Sequence, residues 1–164
     1  MNFTEDLARL QKQEEALRFE VFDFDTAWEL GNAIRDIAVQ EEKGVVIDIH
    51  RLDGLQLFFT ALPGTNPDNL NWVRRKANVV KHFQKSSYQI GQELRSQDTD
   101  VTTAHGLSDA DYATHGGAFP IALKTGELVG VVTVSGVPQR EDHALVVKGL
   151  CRVLGQDHEA LKLD

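Results

Sequence analysis

The sequence is poor in cysteine and has no long hydrophobic run. Its single cysteine, Cys151, excludes an internal disulfide, and such scarcity is typical of reducing compartments. No apolar segment approaches the roughly 20 residues that cross a bilayer. The N-terminal segment is acidic and helix-like, unlike a secretory signal. We therefore expect a cytoplasmic protein that has no membrane partner.

Positive charge is also scarce. The chain of 164 residues has 17 Lys and Arg against 25 Asp and Glu, and its formal net charge is −8. Because nucleic-acid binding needs a surface that neutralises phosphates, this balance predicts no nucleic-acid partner. The chain does have 41% hydrophobic residues, which a chain of this length can bury in one core. We predict a single domain over residues 1–164.

Several catalytic motifs are absent as well. The sequence contains neither Gly-x-x-x-x-Gly-Lys-Ser/Thr nor Gly-x-Gly-x-x-Gly, so it indicates no phosphate-binding loop. It has six histidines but no His-Glu-x-x-His zinc motif. Residues 106–110 are the nearest match to the Gly-x-Ser-x-Gly elbow of esterases, and they lack its second glycine. Whether the protein is an enzyme stays open on this evidence.

The spacing of apolar residues predicts alternating helices and strands. Helical spacing covers residues 3–17, 26–43, 66–97 and 138–154. Strands are predicted at 18–24 and in two hairpins, whose turns are Asp53-Gly54 and Thr125-Gly126. Residues 98–117 are the longest predicted loop. These elements predict an α+β fold with a five-stranded, mostly antiparallel sheet that is flanked by helices.

The helix predicted over residues 66–97 is basic in an acidic chain. Its polar face has two acidic residues, Asp68 and Glu93, and six basic ones: Arg74, Arg75, Lys76, Lys81, Lys85 and Arg95. Three interpretations remain open. The face is solvated, or it contacts an acidic neighbouring subunit, or it binds an anionic ligand.

The segment His115-Gly116-Gly117 comes shortly before an apolar strand that begins at Phe119. The two glycines allow a tight backbone path into that strand, and they would equally let a flat ligand approach the backbone beside His115. Asp142 lies in the first turn of the last helix, where it either interacts with the helix dipole or lines a pocket that faces this loop. Asp48 and His50 share one strand face, which is a pocket wall, a solvated surface or a subunit boundary.

The segments HGGAFPI, LVGVVTVSG and REDHALVV together resemble the haem-degrading-type domain family, and especially a subgroup of its small bacterial and fungal members. The residues that carry the resemblance are Gly116, Gly117, Phe119, Pro120, Ser135, Gly136 and Asp142. The resemblance implies a profilin-like fold and assembly into dimers or larger homo-oligomers. Some relatives bind haem or iron, and many have no established activity. The chain has no Cys-x-x-Cys-His motif for covalent haem attachment.

Two hypotheses about function follow. In the first, an oligomeric protein binds haem, iron or a related small ligand, and degradation of haem is left open. The ligand would lie among His115, Gly116, Gly117, Arg140, Asp142, Arg74 and Arg75, with arginines pairing with its carboxylates and His115 or His143 binding the metal. In the second, the chain is a non-catalytic assembly or adaptor protein, whose loops form subunit or partner interfaces.

Overall fold

The computed structural model describes residues 2–164. Its strands in chain order are β1 (Val46–Arg51), β2 (Gln56–Ala61), β3 (Ala118–Ala122) and β4 (Leu128–Ser135). Its helices in chain order are α1 (Phe3–Ala16), α2 (Phe24–Gln40), α3 (Pro67–Phe83), α4 (Ser87–Ser96), α5 (Val101–His105), α6 (Gln139–Leu154) and α7 (His158–Leu161).

The strands form one antiparallel sheet in the order β2-β1-β4-β3. Both predicted hairpins are present, because β1 pairs with β2 and β3 pairs with β4. The central pair, β1 and β4, runs in continuous register from Val46 opposite Ser135 to Arg51 opposite Gly130. The α+β class is therefore confirmed, and the sheet places the start of β1 and the end of β4 beside the start of α6.

Helices cover both faces of the sheet. On one face, α2 and α6 pack over Ile47 and Ile49 of β1 and over Val132 and Val134 of β4, and this is the main hydrophobic core. On the other face α3 lies against the sheet, where its apolar residues meet Ala118 and Val131. Alternation along β1 and β4 explains both layers, because neighbouring side chains of a strand point to opposite faces.

The prediction of a fifth strand at residues 18–24 is wrong. The segment makes only an isolated bridge, between Phe19 and Leu123, and Phe24 already belongs to α2. The side chain of Asp23 accepts hydrogen bonds from the backbone N–H of Thr26, at 2.8 Å, and from its hydroxyl, at 2.7 Å. This N-terminal cap starts α2 inside the predicted strand. It satisfies the backbone N–H of Thr26, which would otherwise need a partner on a neighbouring strand.

The single helix predicted over residues 66–97 is two helices. The helix α3 ends at Phe83, because the next residue, Gln84, has the left-handed conformation with φ of 59°. Ser86 then caps α4 by accepting a hydrogen bond from the backbone N–H of Gln89 at 3.2 Å. The predicted loop at 98–117 also contains the short helix α5, which Asp100 caps. Caps are local side-chain contacts that override a continuous apolar stripe.

No helix within residues 2–164 is both long enough and apolar enough to cross a membrane.

Candidate functional site

A cleft of about 220 Å³ opens where α3, the residues before β3 and the start of α6 meet. We call it the α3–α6 cleft. Its walls come from α3, from His115, from the end of β4 and from the first turn of α6. The lining residues are Asn69, Trp72, Lys76, His115, Ser135, Gly136, Val137, Gln139 and Asp142.

Two glycines fix the backbone beside the cleft. Gly117 has a φ of +138°, and a Cβ at this residue would lie 2.2 Å from the carbonyl oxygen of Val134. A Cβ at Gly116 would lie 2.3 Å from the carbonyl oxygen of Gln139. Because backbone atoms cannot move aside as a flexible side chain can, these glycines let the loop pack directly on β4 and α6. The predicted tight backbone path is therefore present.

A buried ion pair forms the polar floor of the α3–α6 cleft. The Lys76 ammonium lies 3.0 Å from a carboxylate oxygen of Asp142, and the two side chains are only 3% and 2% exposed. Lys76 also donates a hydrogen bond to the carbonyl oxygen of Val134 at 3.2 Å, and Asp142 accepts one from the backbone N–H of Val137 at 3.1 Å. The pair thus connects α3, β4 and α6 through hydrogen bonds.

Burial and attraction act in opposite directions on this pair. Burial raises the pKa of Asp142, and the nearby Lys76 charge opposes that shift. Burial lowers the pKa of Lys76, and the Asp142 charge opposes that shift in turn. Each group therefore depends on the other to stay charged in a low-dielectric position.

His115 is the exposed imidazole at the rim of the α3–α6 cleft. Its ring meets the Trp72 ring edge to face, with a distance of 5.2 Å between the ring centroids. Partial burial lowers the pKa of His115, and the nearby cations Arg95, Lys76 and Arg75 lower it further. At neutral pH the imidazole is therefore neutral, and one of its nitrogens has a lone pair for a metal ion or a hydrogen-bond donor.

The arginines of α3 are near the cleft but contact a loop. Arg74 donates to the carboxylate of Asp111 at 2.9 Å and to the carbonyl oxygen of Ala110 at 2.8 Å. Arg75 donates through Nε to the carbonyl oxygen of Asp109 at 2.9 Å, and its guanidinium lies 4.6 Å from the Trp72 ring centroid. The basic face of α3 thus anchors residues 109–111, and Arg75 stacks on a wall of the cleft.

The remaining predicted site residues lie elsewhere. Arg140 bonds to Asp6 at 2.9 Å and to the Tyr88 hydroxyl at 3.0 Å. His143 is 1% exposed, and its Nε2 lies 2.8 Å from the side-chain oxygen of Gln13. Burial lowers the pKa of His143 to about 3, so this imidazole is neutral. Both residues line a separate groove of about 600 Å³ between α6 and the C-terminal segment.

A third cavity, of about 290 Å³, lies between α3 and the β1–β2 hairpin. Asp48 and His50 line it, which agrees with the interpretation that they form a pocket wall. The Asp48 carboxylate lies 2.6 Å from His50 Nδ1 and accepts a hydrogen bond from the Gln56 side chain at 2.7 Å. These contacts satisfy both carboxylate oxygens of Asp48.

The structure favours neither a multi-ligand metal centre nor a thiol nucleophile. Residues 2–164 contain no group of three His, Cys, Asp or Glu side chains that could hold a metal ion. Cys151 is buried in the main core, and burial raises the pKa of its thiol to about 11. Cys151 therefore stays protonated, and a protonated thiol is a weak nucleophile.

Sequence comparison decides the family. The model of the family of haem-degrading proteins like HbpS matches residues 22–151. The chain belongs to this HbpS-like family. The resemblance seen in the glycine-rich loop and the start of α6 is thus confirmed.

The chain is also similar to individual relatives and solved structures over most of its length. A UPF0303 protein of Rhizobium meliloti is 52% identical over 164 residues, covering 100% of this chain and 99% of the relative. The solved structure of the Ybr137w protein is 30% identical with a TM-score of 0.84, and the match covers 95% of this chain and 90% of that chain. HbpS itself aligns with a TM-score of 0.63 at 18% identity, over 82% of this chain and 91% of that chain. A complex of PduOC with haem aligns with a TM-score of 0.68 at 16% identity, over 80% and 94% of the two chains. The last two likenesses concern the fold alone.

Proposed function

We propose that the chain binds a haem-related or other small ligand in the α3–α6 cleft, with His115 as the group that meets the ligand. The observation that carries the proposal is the position of His115, which is exposed at the rim of a cleft with a polar, buried floor. Membership of the HbpS-like family supports haem-related chemistry. A related solved structure is described as a PduOC–haem complex, and this adds support at the level of the fold.

The residues of the cleft fit one edge of a haem. The His115 imidazole can bind iron, and the Trp72 ring offers an aromatic wall. The Arg75 guanidinium lies on that ring, but it donates to the carbonyl oxygen of Asp109 and would have to give up this bond to pair with a propionate. The cleft volume of about 220 Å³ is smaller than the roughly 300–1,000 Å³ of pockets that enclose a drug-sized ligand. A haem bound here would therefore protrude, whereas a smaller anion or a free iron ion would fit inside the rim.

Of the two histidines predicted as metal ligands, we propose His115 and not His143. The imidazole of His143 is enclosed by the protein and hydrogen-bonded to Gln13. Iron could bind Nε2 of His143 only by displacing the Gln13 side chain, whose oxygen lies 2.8 Å from that nitrogen. Arg140 is likewise engaged with Asp6 and Tyr88, so we propose no contact between this arginine and the ligand.

A haem titration followed by absorbance tests the proposal. We expect the wild-type protein to shift the Soret band and His115→Ala to lose most of that shift. His105→Ala is the matched control, because His105 is also exposed but does not line the cleft. The same sample with a reductant and oxygen shows whether bound haem is degraded. An unchanged Soret band with wild-type protein would refute haem binding, and equal shifts in all three proteins would refute the role of His115.

A second candidate function is non-catalytic assembly, and a specific observation favours it. Large apolar side chains are exposed at the start of α2 and around the β1–β2 hairpin. Phe24 and Trp28 are each 63% exposed, and Leu55 is 46% exposed. Such side chains are typical of interaction surfaces when they cluster. We propose that the chain forms a homo-oligomer, which light scattering checks by comparing the solution mass with the 18.3 kDa of one chain.

The predicted cytoplasmic location and the single domain stay predictions.

A further inference from the structure

The two edges of the sheet differ in how well they are covered. At the β3 edge, the backbone N–H of Phe19 donates to the carbonyl oxygen of Ala122 at 2.9 Å, and the Ser87 hydroxyl accepts from the backbone N–H of Ala118 at 3.0 Å. Pro120, in the same strand, has no N–H to donate. At the other edge, β2 pairs only with β1 within residues 2–164. The outer side of β2 is therefore the uncovered edge of the sheet in the described structure.

The register shows which backbone groups of β2 face outward. The N–H of Leu62 donates to the carbonyl oxygen of Val45 at 3.0 Å, so this residue pair points inward. Antiparallel strands alternate between inward and outward pairs. Thr60 is therefore bonded to β1, whereas the N–H and C=O groups of Phe59 and Ala61 point away from it. The irregularity in the register opposite Ile49 and His50 bounds this regular segment on one side, and Pro63 bounds it on the other.

The edge of β2 has few of the features that keep strand edges apart. Its sequence, QLFFTA, contains no charged residue and no proline, and both normally discourage edge pairing. Apolar side chains flank it on both faces of the sheet. On the α2 side, Trp28 packs against Phe58 with a centroid distance of 5.7 Å. On the α3 side, Phe59 and Leu70 are 44% and 47% exposed.

We infer that a second copy of this chain pairs with β2 through its own β2, antiparallel, about a two-fold axis at Thr60. In this register Phe59 bonds to Ala61 of the partner subunit and Ala61 to Phe59 of the partner subunit, and the outward backbone groups of both residues are satisfied. The inference rests on the self-association proposed above and adds its surface and register to it. A two-fold arrangement requires one surface to be complementary to itself, and an antiparallel strand edge meets that requirement.

The distribution of charge makes β2 the place where a second copy meets little repulsion. Two chains of formal net charge −8 repel each other, so they approach most easily where the surface carries no charge. The uncharged β2 segment supplies such a surface, and the exposed Trp28 and Phe59 supply apolar area to be buried. A continuous sheet across the two chains would pair the uncharged strands and also bury these apolar side chains.

Cysteine cross-linking tests the register. Thr60 would face Thr60 of the partner subunit in a non-hydrogen-bonded pair, with about 4.5 Å between the two Cα atoms, within the roughly 4.4–6.8 Å of disulfides. We expect Thr60→Cys to form a disulfide-linked dimer under mild oxidation at micromolar concentration. Val39→Cys is the control, because Val39 is 50% exposed on α2 and lies outside β2. The native Cys151 is buried in both proteins. Equal cross-linking of the two variants, or none in either, would overturn the register.

Light scattering on charge variants tests the surface separately. We expect Phe59→Lys to lower the solution mass to half that of wild type or less, and Val39→Lys to leave it unchanged. Ala61→Lys repeats the test with a smaller side chain in case Phe59→Lys unfolds, which circular dichroism would reveal. A wild-type monomer at all concentrations would overturn self-association altogether. A wild-type oligomer whose mass neither β2 variant changes would overturn the β2 surface alone and leave self-association standing.

Discussion

Replacing Gly117 with alanine probes the backbone that supports the α3–α6 cleft. The residue has a φ of +138°, and an added Cβ would lie 2.2 Å from the carbonyl oxygen of Val134 and 2.9 Å from the Lys76 ammonium. A non-glycine residue in a sparsely populated backbone region costs about 1–3 kcal/mol, and the contact with Val134 adds to this cost. We expect Gly117→Ala to lower the free energy of unfolding by about 2–4 kcal/mol. For a chain of this length each kcal/mol lowers the melting temperature by roughly 2–4 °C.

Two other glycines separate the cost of the backbone conformation from the cost of the steric conflict. Gly126 has a φ of +92° but open space around its Cβ position, so Gly126→Ala isolates the cost of the backbone conformation. Gly116 has only the steric conflict, because its Cβ would lie 2.3 Å from the carbonyl oxygen of Gln139. Thermal melts and urea unfolding of the three variants would be compared with wild type. If Gly117→Ala melts like wild type, or loses no more stability than Gly126→Ala, the argument from its contacts is refuted.

Two further predictions concern buried carboxyl groups. Asp142→Asn leaves Lys76 buried without a countercharge, so urea unfolding should show a loss of about 3–5 kcal/mol. Glu141→Gln breaks the exposed Lys43–Glu141 pair and should cost much less, because water screens both charges. Equal losses in the two variants would contradict a special role for the buried pair. Burial raises the pKa of Glu14 to about 8, so the native protein keeps a proton that the unfolded chain, with an ordinary pKa, has released. Stability should therefore fall as pH rises, by about 1 kcal/mol between pH 7 and 8, and a Glu14→Gln variant that shows the same fall in urea unfolding would refute this cause.

The hairpins were predictable because their signals are local. Asp53-Gly54 and Thr125-Gly126 each lie between short apolar runs, and each pair of flanking strands is antiparallel in the structure. The errors arose where a cap competes with periodicity. Residues 18–24 alternate like a strand, but the Asp23 carboxylate binds the Thr26 amide and starts α2. The helix predicted over 66–97 has an unbroken apolar stripe, but the left-handed Gln84 and the cap at Ser86 divide it.

The candidate site was predictable only in part. His115 and Asp142 do line one cleft, and Gly116 and Gly117 pack beside it, whereas Arg74, Arg75, Arg140 and His143 are engaged elsewhere. The sequence pattern predicts every basic residue of this helix on its polar face. Lys76 in fact lies between the buried Val73 and Ala77. Its position within the apolar stripe was the signal of a buried partner, but the identity of that partner, 66 residues away, depends on the tertiary fold.

The His-Gly-Gly segment packs against the buried Lys76–Asp142 pair, and the lack of a side chain at Gly117 makes this packing possible. A Cβ at Gly117 would lie 2.9 Å from the Lys76 ammonium and 3.3 Å from the Cβ of Asp142, so the glycine leaves the space that the pair occupies. The pair then connects α3 to α6 across the end of β4, and this connection forms the floor of the cleft. Because the charges of Lys76 and Asp142 offset each other, the floor supplies hydrogen bonds without a strong field of one sign. In the function proposed above, the contact with a ligand therefore falls to His115 at the rim, and the two glycines act by positioning the floor beneath it.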